Sequence, residues 1–280
     1  MGHFTRDEIL SRLHEERREG RAIYDALCGS GITAKFAARG GADLVTTFNL
    51  AYYRMQGLSS MAGYLPIGDA NALTLELGER SVIGAVDGGC PVVAGLLGAD
   101  PTRDMGRLLE QVVSVGFDGV MNCPTVALID GGFRLTLEET GLGYEREVQM
   151  LAGAHRRGLF TKAFCTTPEE AVAMADAGVD NLIVHFGNSS GGSVGSKTVV
   201  GPDEAAERAT RVCDALGERA SSLILTFHGG AFETPADVAE LLRLEPRLHG
   251  YVGGSSAERF PIEKAVPDAT RGFKAVNVRG

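Results

Sequence analysis

Short apolar runs alternate with amphipathic stretches along the whole chain. The apolar runs predict strands near residues 22–28, 43–48, 91–98, 118–123, 159–165, 181–186, 222–227 and 249–254. The stretches between them carry apolar residues at helical spacing, most clearly over residues 103–116, 144–158, 168–178, 202–217 and 235–244. Several of the strands are apolar at nearly every position, which is typical of strands that have helices on one face and a packed interior on the other.

The first segment predicts a helix, because Thr5 and Glu8 have the spacing of a capping box and Leu10 and Leu13 follow. We place this helix within residues 1–20, before the first strand. Eight strand–helix repeats in about 250 residues then fit a single α/β domain over residues 1–280, a (β/α)₈ TIM barrel. An open doubly wound sheet is the structural alternative, but no GxGxxG sequence follows the first strand.

Composition and charge narrow the class of partner. The chain has 44% hydrophobic and 22% charged residues and a net charge of −9, which opposes binding to nucleic acid. The five cysteines have no CxxC spacing, so neither disulfides nor a zinc knuckle is expected. The amino terminus lacks the apolar core of a signal peptide and no apolar run has the length of a membrane span, so we expect a cytoplasmic protein without membrane contact.

The stretch HFGNSSGGSVGSKT at 185–198 resembles a phosphate-binding loop at first sight. It departs from the P-loop pattern because Lys197 follows Ser196 rather than glycine, and because a helix does not start directly after it. In a barrel this stretch follows the sixth strand at the carboxyl-terminal mouth, where active sites lie. We interpret it as a gate or a ligand-contacting loop; the alternative is a mobile surface loop without chemistry.

Polar residues at the predicted strand ends are the candidate chemical groups. Asp100 is the clearest carboxylate and either holds a divalent cation or caps the turn around Pro101. His185 and His228 each end an apolar strand, where they either move protons and stabilise an enolate or serve as hydrogen-bonded structural residues. Lys162 lies within the fifth strand, and it is a Schiff-base candidate only if it is desolvated; otherwise it is structural or exposed.

The ends of the seventh and eighth strands predict an anion site. Barrels often bind phosphate with these two loops and the start of a short extra helix, which we expect near Ser256. The alternative is that the glycines only permit tight packing where the barrel closes. The predicted substrate- or anion-binding residues, which include one serine after the first strand, are Ser30, Gly229, Gly230, Gly253, Gly254, Ser255 and Ser256.

Longer stretches in consistent order carry a resemblance to a known family. They are residues 31–44, 65–72, 92–101, 116–150, 185–192, 228–238 and 250–263. The chain resembles the phosphoenolpyruvate hydrolase-like TIM-barrel family of the phosphoenolpyruvate/pyruvate superfamily. That resemblance implies a homo-oligomer, bound Mg²⁺ and the stabilisation of pyruvate-like enolates while C–C or C–P bonds are made or broken.

The resemblance also suggests roles for individual residues. Asp100 matches the metal-side carboxylate of the third strand, whereas Asn122 stands where several relatives place a further acid. Glu138, Glu139 or Glu145 would have to compensate for that missing acid. The leading hypothesis is an enzyme, a hydrolase or lyase, that cleaves a small oxo-acid through a metal-stabilised enolate, with His185 or His228 moving a proton and with Asn122 and Glu145 in support. The alternatives are a non-catalytic ligand-binding or regulatory barrel and a flavin- or phosphate-dependent enzyme.

Overall fold

The strands form a closed parallel barrel in the computed structural model, which describes residues 4–278. Each strand pairs with the next along the chain, and the last pairs with the first, so the described residues leave no open sheet edge. The predicted TIM barrel is confirmed, and all eight predicted strands are present. They are β1 Ile23–Leu27, β2 Leu44–Thr47, β3 Val92–Leu96, β4 Gly119–Asn122, β5 Phe160–Cys165, β6 Asn181–Ser189, β7 Ile224–Gly230 and β8 Gly250–Gly253.

Helices surround the barrel and follow every strand. They are α1 Arg6–Arg18, α2 Gly31–Arg39, α3 Asn49–Met55, α4 Ala70–Leu77, α5 Ile83–Val86, α6 Met105–Val115, α7 Gly131–Glu139, α8 Tyr144–Arg156, α9 Pro168–Asp176, α10 Pro202–Leu216, α11 Pro235–Leu244 and α12 Arg259–Lys274. The connection after β2 is the most elaborate, since it holds α3, a 3₁₀ turn at Ser60–Tyr64, α4 and α5. In the part of the chain that the structure describes, none of the helices is both long and apolar enough to cross a membrane.

Alternation along each strand separates the barrel interior from the helical layer. On β5, Phe160 and Phe164 belong to the interior cluster, whereas Ala163 and Cys165 pack against the helices. This two-residue period follows from the pleat of a strand. A residue near a strand end therefore reaches the mouth only if its position in this alternation, its phase, directs the side chain inward.

Helix α1 closes the amino-terminal end of the barrel. Thr5 and Glu8 form the predicted capping box, with the Thr5 backbone amide donating to Glu8 Oε2 at 2.7 Å. Ile9 and Leu13 are fully buried against the interior cluster, while Leu10 is only partly buried. Because this end is plugged, access to the interior is from the carboxyl-terminal mouth.

The glycine-rich stretch after β6 is more ordered than a free loop. β6 continues through an irregularity to Ser189, which pairs with Gly230 of β7. Beyond it, Arg259 Nη2 donates to the carbonyl of Gly191 at 2.9 Å and the Ser190 hydroxyl donates to Glu233. The loop lies at the predicted rim position, but its contacts tie it to the β7–α11 connection and to α12.

Candidate active site at the barrel mouth

A small pocket opens at the carboxyl-terminal mouth, above the barrel interior. Its free volume is about 30 Å³, enough for roughly two water molecules. Apolar side chains form most of its wall and a few polar groups point into it, which is the usual composition of a small-molecule site. The lining residues are Leu27, Phe48, Leu50, Arg54, Ser60, Met61, Tyr64, Cys123, Leu128, Phe164, His185, Asn188, Ser189, His228, Gly254 and Ser255.

His185, whose side chain points inward from β6, is one of the two imidazole rings in the pocket. Its Nδ1 accepts a hydrogen bond from the backbone amide of Gly187 at 2.9 Å, so in the neutral ring the proton is on Nε2. Burial, and then the neighbouring His228, hold the pKa of His185 well below its usual value. His185 therefore presents an N–H donor at neutral pH.

His228 stands beside it on β7 in the opposite tautomer. Its Nδ1 lies 2.6 Å from the carbonyl oxygen of Val252, so Nδ1 carries the proton and donates it. Burial lowers the pKa of His228 to about 4; the hydrogen bond to Val252 works against this shift, and the charges of Arg54 and Lys162 add to it. The Nε2 atom keeps its lone pair, and among residues 4–278 it has no hydrogen-bond partner.

The two imidazoles form one unit. Their ring centroids are 4.9 Å apart, and the Phe164 ring packs against both, at 4.6 Å from His185 and 5.4 Å from His228. Two neutral rings, one offering a donor and the other an acceptor, can give and take a proton on the same small molecule. This arrangement gives the pocket the elements of general acid–base chemistry.

Arg54, on α3, brings a positive charge to the same pocket. Its Nε and Nη2 donate to Glu258 Oε2 at 2.9 and 2.6 Å, and Nη2 also donates to the Leu27 carbonyl. Glu258 is completely buried and accepts from the Gly29 amide and the Thr33 hydroxyl as well. This ion pair fixes the guanidinium, and Nη1 is left without a partner among the described residues.

Gly254 marks where these groups converge. A Cβ atom built there would lie 3.2 Å from Cε1 of His228 and 3.4 Å from Nη1 of Arg54. Glycine thus leaves room beside both groups for a ligand atom. Ser255, also in the wall, is buried, and its hydroxyl has no partner within residues 4–278.

The predicted anion-binding residues divide into two groups. Gly254 and Ser255 line the pocket, while Gly253 lies against the Tyr24 hydroxyl and the Ser256 hydroxyl pairs with that of Tyr251. These last two and the remaining three lie outside the pocket lining: Gly229 and Gly230 have left-handed backbone angles in the β6–β7 pairing, and Ser30 caps α2. The final helix begins at Arg259 rather than near Ser256, and the side chain of its N-cap residue, Glu258, makes no capping hydrogen bond and binds Arg54 instead.

Asp100 serves as a turn cap in the structure. Its Oδ1 accepts from the backbone amide and hydroxyl of Thr102 at 2.8 and 2.6 Å, and Oδ2 accepts from Asn71 at 3.0 Å. Burial would raise the pKa of Asp100, but these bonds and the charge of Arg103, 3.3 Å away, hold it below its usual value.

A divalent cation at Asp100 would have to displace these partners, because both carboxylate oxygens already accept hydrogen bonds and Oδ2 also faces the Arg103 guanidinium. Across residues 4–278, no cluster of three His, Cys, Asp or Glu side chains is placed to hold a metal ion. The expected role of Asp100 as a metal ligand finds no support in its contacts.

Asn122 and Glu145 also lie outside the pocket, which corrects their predicted placement. Asn122 is one residue past the inward-facing Met121, so its amide faces outward and bonds both backbone groups of Phe164 at 2.7 and 3.1 Å. Glu145 is exposed on α8 and bonds only Gln149. The acid beside Asn122 is Glu147, at 2.7 Å.

Glu147 was not among the predicted site residues. It is fully buried and accepts from the Asn122 amide, the Thr125 hydroxyl and the Val126 backbone amide, each at 2.7 Å. Burial raises its pKa to about 8 in spite of these three bonds. The cluster joins β4, β5 and α8 behind the mouth and has a structural role.

The pocket roof comes from a segment that the sequence analysis left unassigned. The cover segment, residues 56–69, follows α3 and contributes Ser60, Met61 and Tyr64 to the lining. The Tyr64 hydroxyl donates to the Thr125 carbonyl and accepts from its amide, both at 3.2 Å. That the connection after β2 packs over the mouth could have been inferred from Phe48 and Leu50, because apolar residues directly after a strand indicate a packed connection rather than an open one.

The structure therefore defines a TIM barrel whose mouth holds an enclosed pair of neutral histidines and a fixed arginine. The profile of the family described as phosphoenolpyruvate hydrolase-like matches residues 8–276. The chain belongs to that family.

Similar proteins include a plant protein and solved barrel enzymes. ToMV resistance protein Tm-1(GCR237) of Solanum lycopersicum is 41% identical over 273 residues, which cover 98% of this chain and 36% of that protein. A phosphonopyruvate hydrolase in complex with oxalate and Mg²⁺ has a TM-score of 0.65 at 15% identity, over 99% of this chain and 89% of that one. An oxaloacetate acetylhydrolase also scores 0.65, at 14% identity over 100% and 90%. The chain thus spans about a third of the plant relative, and at these identities the two enzymes show the shared fold.

Proposed function

We propose that this protein is an enzyme that cleaves a small oxo-acid, or a hydroxylated oxo-acid, next to its carbonyl group through an enolate-like intermediate. The observation that carries the proposal is the pair of neutral histidines in opposite tautomers. His228 Nε2 removes a proton, and His185 Nε2–H donates to the oxygen on which negative charge develops.

Arg54 supplies the selectivity for an acid. Its free Nη1 and the Ser255 hydroxyl lie on the side of the pocket at Gly254, where they bind the substrate carboxylate. The apolar remainder of the wall favours a short carbon chain. Because the free volume is about 30 Å³, the cover segment must shift outward to admit such a substrate.

Two enzymes of the same fold support this substrate class, since one is named for phosphonopyruvate and the other for oxaloacetate. The Mg²⁺ of the first has no counterpart in the donor set around Asp100. We therefore assign the proton steps to this chain's own residues.

Deuterium exchange tests the proposal without knowledge of the full substrate. Pyruvate is incubated with the protein in D₂O, and loss of its methyl proton signal is followed by NMR, alongside a panel of 4-hydroxy-2-oxo acids for release of pyruvate. We expect exchange with the wild type and with His14→Gln, a control on α1 at the far end of the barrel, and none with His228→Gln. Absence of both exchange and cleavage in the wild type contradicts the proposal.

A non-catalytic binding barrel is the second candidate. The observation in its favour is the similarity to a plant virus-resistance protein, of which this chain matches about a third. Binding of pyruvate without exchange or cleavage would favour this function. Binding accompanied by exchange would exclude it.

A further inference from the structure

A charged network crosses the barrel interior below the pocket, and the proposed proton chemistry does not use it. Lys162 on β5 extends its Nζ to the Asp25 carboxylate on β1 and lies 2.9 Å from the Thr46 hydroxyl on β2. Thr46 in turn donates to Asp25 Oδ1 at 2.9 Å. All three residues are buried, and Lys162 is completely so.

This network lies one layer beneath the pocket. Leu27, Phe48 and Phe164 line the pocket and stand two positions after Asp25, Thr46 and Lys162. Residues two apart share a strand face and are separated by about 6.6 Å along it. The lysine side chain therefore spans the barrel axis directly under the pocket floor.

Elsewhere the barrel interior holds mostly apolar side chains and the neutral, hydrogen-bonded pair Asn181–Thr226, so a pair of charged side chains stands out here. Burying two charges is costly, and apolar residues of similar volume often stabilise a core as well or better. Burial also lowers the pKa of Lys162 well below its usual value, which makes it easier for the ammonium to pass its proton to Asp25 and become the nucleophilic amine. A desolvated lysine with a carboxylate partner beneath a pocket is a typical functional arrangement.

The proposed cleavage also needs an electron sink. An enolate-like intermediate requires something that withdraws electrons from the carbonyl carbon, and the oxygens of Asp100, the expected metal ligand, already accept hydrogen bonds from Thr102 and Asn71. A protonated imine is the other common electron sink, and it needs only a lysine amine and a carbonyl compound.

We propose that Lys162 forms a Schiff base with the carbonyl carbon of a small 2-oxo acid bound in the mouth pocket. This inference rests on the function proposed above and names its covalent step. The carbonyl oxygen then leaves as water, so the enolate-like intermediate is an enamine, and His185 Nε2–H donates to the oxygen of the carbinolamine before it leaves. The step requires the Lys162 side chain to leave Asp25 and to pass Phe164, which stands two positions further along β5 and lines the pocket.

The step balances within this chain and its substrate. Asp25 takes one proton from the Lys162 ammonium, and the amine attacks the carbonyl carbon; a second N–H proton moves to the oxygen and gives a carbinolamine. The C–O bond then breaks, the hydroxyl leaves as water with the proton returned from Asp25, and the nitrogen lone pair forms the C=N bond. The product is a cationic imine facing the Asp25 carboxylate.

Reductive trapping tests this step. The protein is incubated with pyruvate and sodium cyanoborohydride, and intact mass and peptide mass spectrometry locate any reduced adduct. The other four lysines, Lys35, Lys197, Lys264 and Lys274, are exposed and serve as internal controls. We expect one pyruvate-derived adduct, on Lys162, with labelling at least tenfold above that of any exposed lysine.

Variants keep the test independent of folding defects. Lys162→Met alone would leave the Asp25 carboxylate buried without its partner. The test therefore uses the double variant Asp25→Asn/Lys162→Met, in which both side chains are uncharged, with Lys264→Met as the control. Circular dichroism checks that each variant is folded. The double variant should lose the adduct and at least 100-fold of the cleavage rate, while Lys264→Met keeps both.

Three other outcomes separate the two proposals. Cleavage by the wild type without an adduct on Lys162, or with adducts only on exposed lysines, overturns the Schiff base and leaves the proposed function standing. An adduct on Lys162 without exchange or cleavage supports the Schiff base and contradicts the proposed function. Absence of adduct, exchange and cleavage overturns both.

Discussion

The two sides of the barrel mouth both carry polar side chains at strand ends but direct them differently. On the β6–β8 side, His185 and His228 point inward and line the pocket. On the β3–β4 side, Asp100 and Asn122 face the surrounding loops and helices, where hydrogen bonds occupy them. A polar residue at a strand end is thus a candidate for chemistry only when its side chain points into the barrel.

The phase follows from the interior packing. His185 is two residues after the inward-facing Ile183, whereas Asn122 is one residue after the inward-facing Met121. A shift of one position moves a side chain to the other face of a strand. We therefore expect substitutions on the β6–β8 side to affect turnover and those on the β3–β4 side to affect stability.

The largest expected effect is that of His228→Gln on turnover. Glutamine keeps polarity but cannot accept and pass on a proton, so pyruvate exchange and cleavage should fall by about 10²–10⁴-fold. The melting temperature should change little. His14→Gln is the matched control, and loss of turnover in both variants would contradict the comparison.

Glu147→Ala tests the opposite side through stability. The change leaves the Asn122 amide, the Thr125 hydroxyl and the Val126 amide without their acceptor, which should lower the free energy of unfolding by about 3 kcal/mol. Urea unfolding measures the loss, and Glu145→Ala, at an exposed position, should change it by less than about 0.5 kcal/mol. A variant of unchanged stability that lost turnover would place Glu147 in the catalytic machinery.

The pH dependence of stability should distinguish the two sides by its sign. The pKa of His185 is lowered by burial, so the unfolded chain binds the proton more readily and stability is lost as the pH falls below 6.5. The pKa of Glu147 is raised from 4.5 to about 8, so its contribution is present at low pH and is lost as the pH rises through that window. We would measure melting temperatures from pH 4 to 8. In His185→Gln the melting temperature should fall less toward pH 4 than in the wild type, and in Glu147→Gln it should fall less toward pH 8. The same pH dependence as in the wild type would contradict these assignments.

The smallest expected effect is that of Asp100→Asn. Asparagine keeps the Oδ1 acceptor for Thr102, but its amide nitrogen cannot accept from Asn71 or pair with Arg103, so stability should fall by about 1–2 kcal/mol. Turnover and its response to added Mg²⁺ should match the wild type. A variant that loses turnover while remaining folded would restore Asp100 as a functional group.

Local patterns were sufficient to predict the barrel. The apolar runs located every strand, and the Thr5–Glu8 spacing located the first helix, because both depend on short-range periodicity and capping. The two mouth histidines could also be identified as candidates from the sequence, because each ends an apolar run.

The remaining features depend on contacts distant in sequence. Arg54 is positioned by Glu258, 204 residues away, and the Lys162–Asp25 pair spans 137 residues. Asn122 looked equivalent to His185 because the exact phase of a strand end cannot be read from a fully apolar run. For Asp100 the sequence left a metal ligand and a turn cap as alternatives, and the cap becomes visible only in the contacts with Thr102 and Asn71.

The protonation of the two mouth histidines is the central claim, and nitrogen NMR observes it directly. Long-range ¹H–¹⁵N correlation spectra of protein labelled in its histidine rings distinguish the two neutral tautomers from the imidazolium, and His185→Gln and His228→Gln assign the signals. At pH 7 we predict that both rings are neutral, with His185 protonated on Nε2 and His228 on Nδ1. An imidazolium at either position, or the same tautomer at both, would contradict this account of the site.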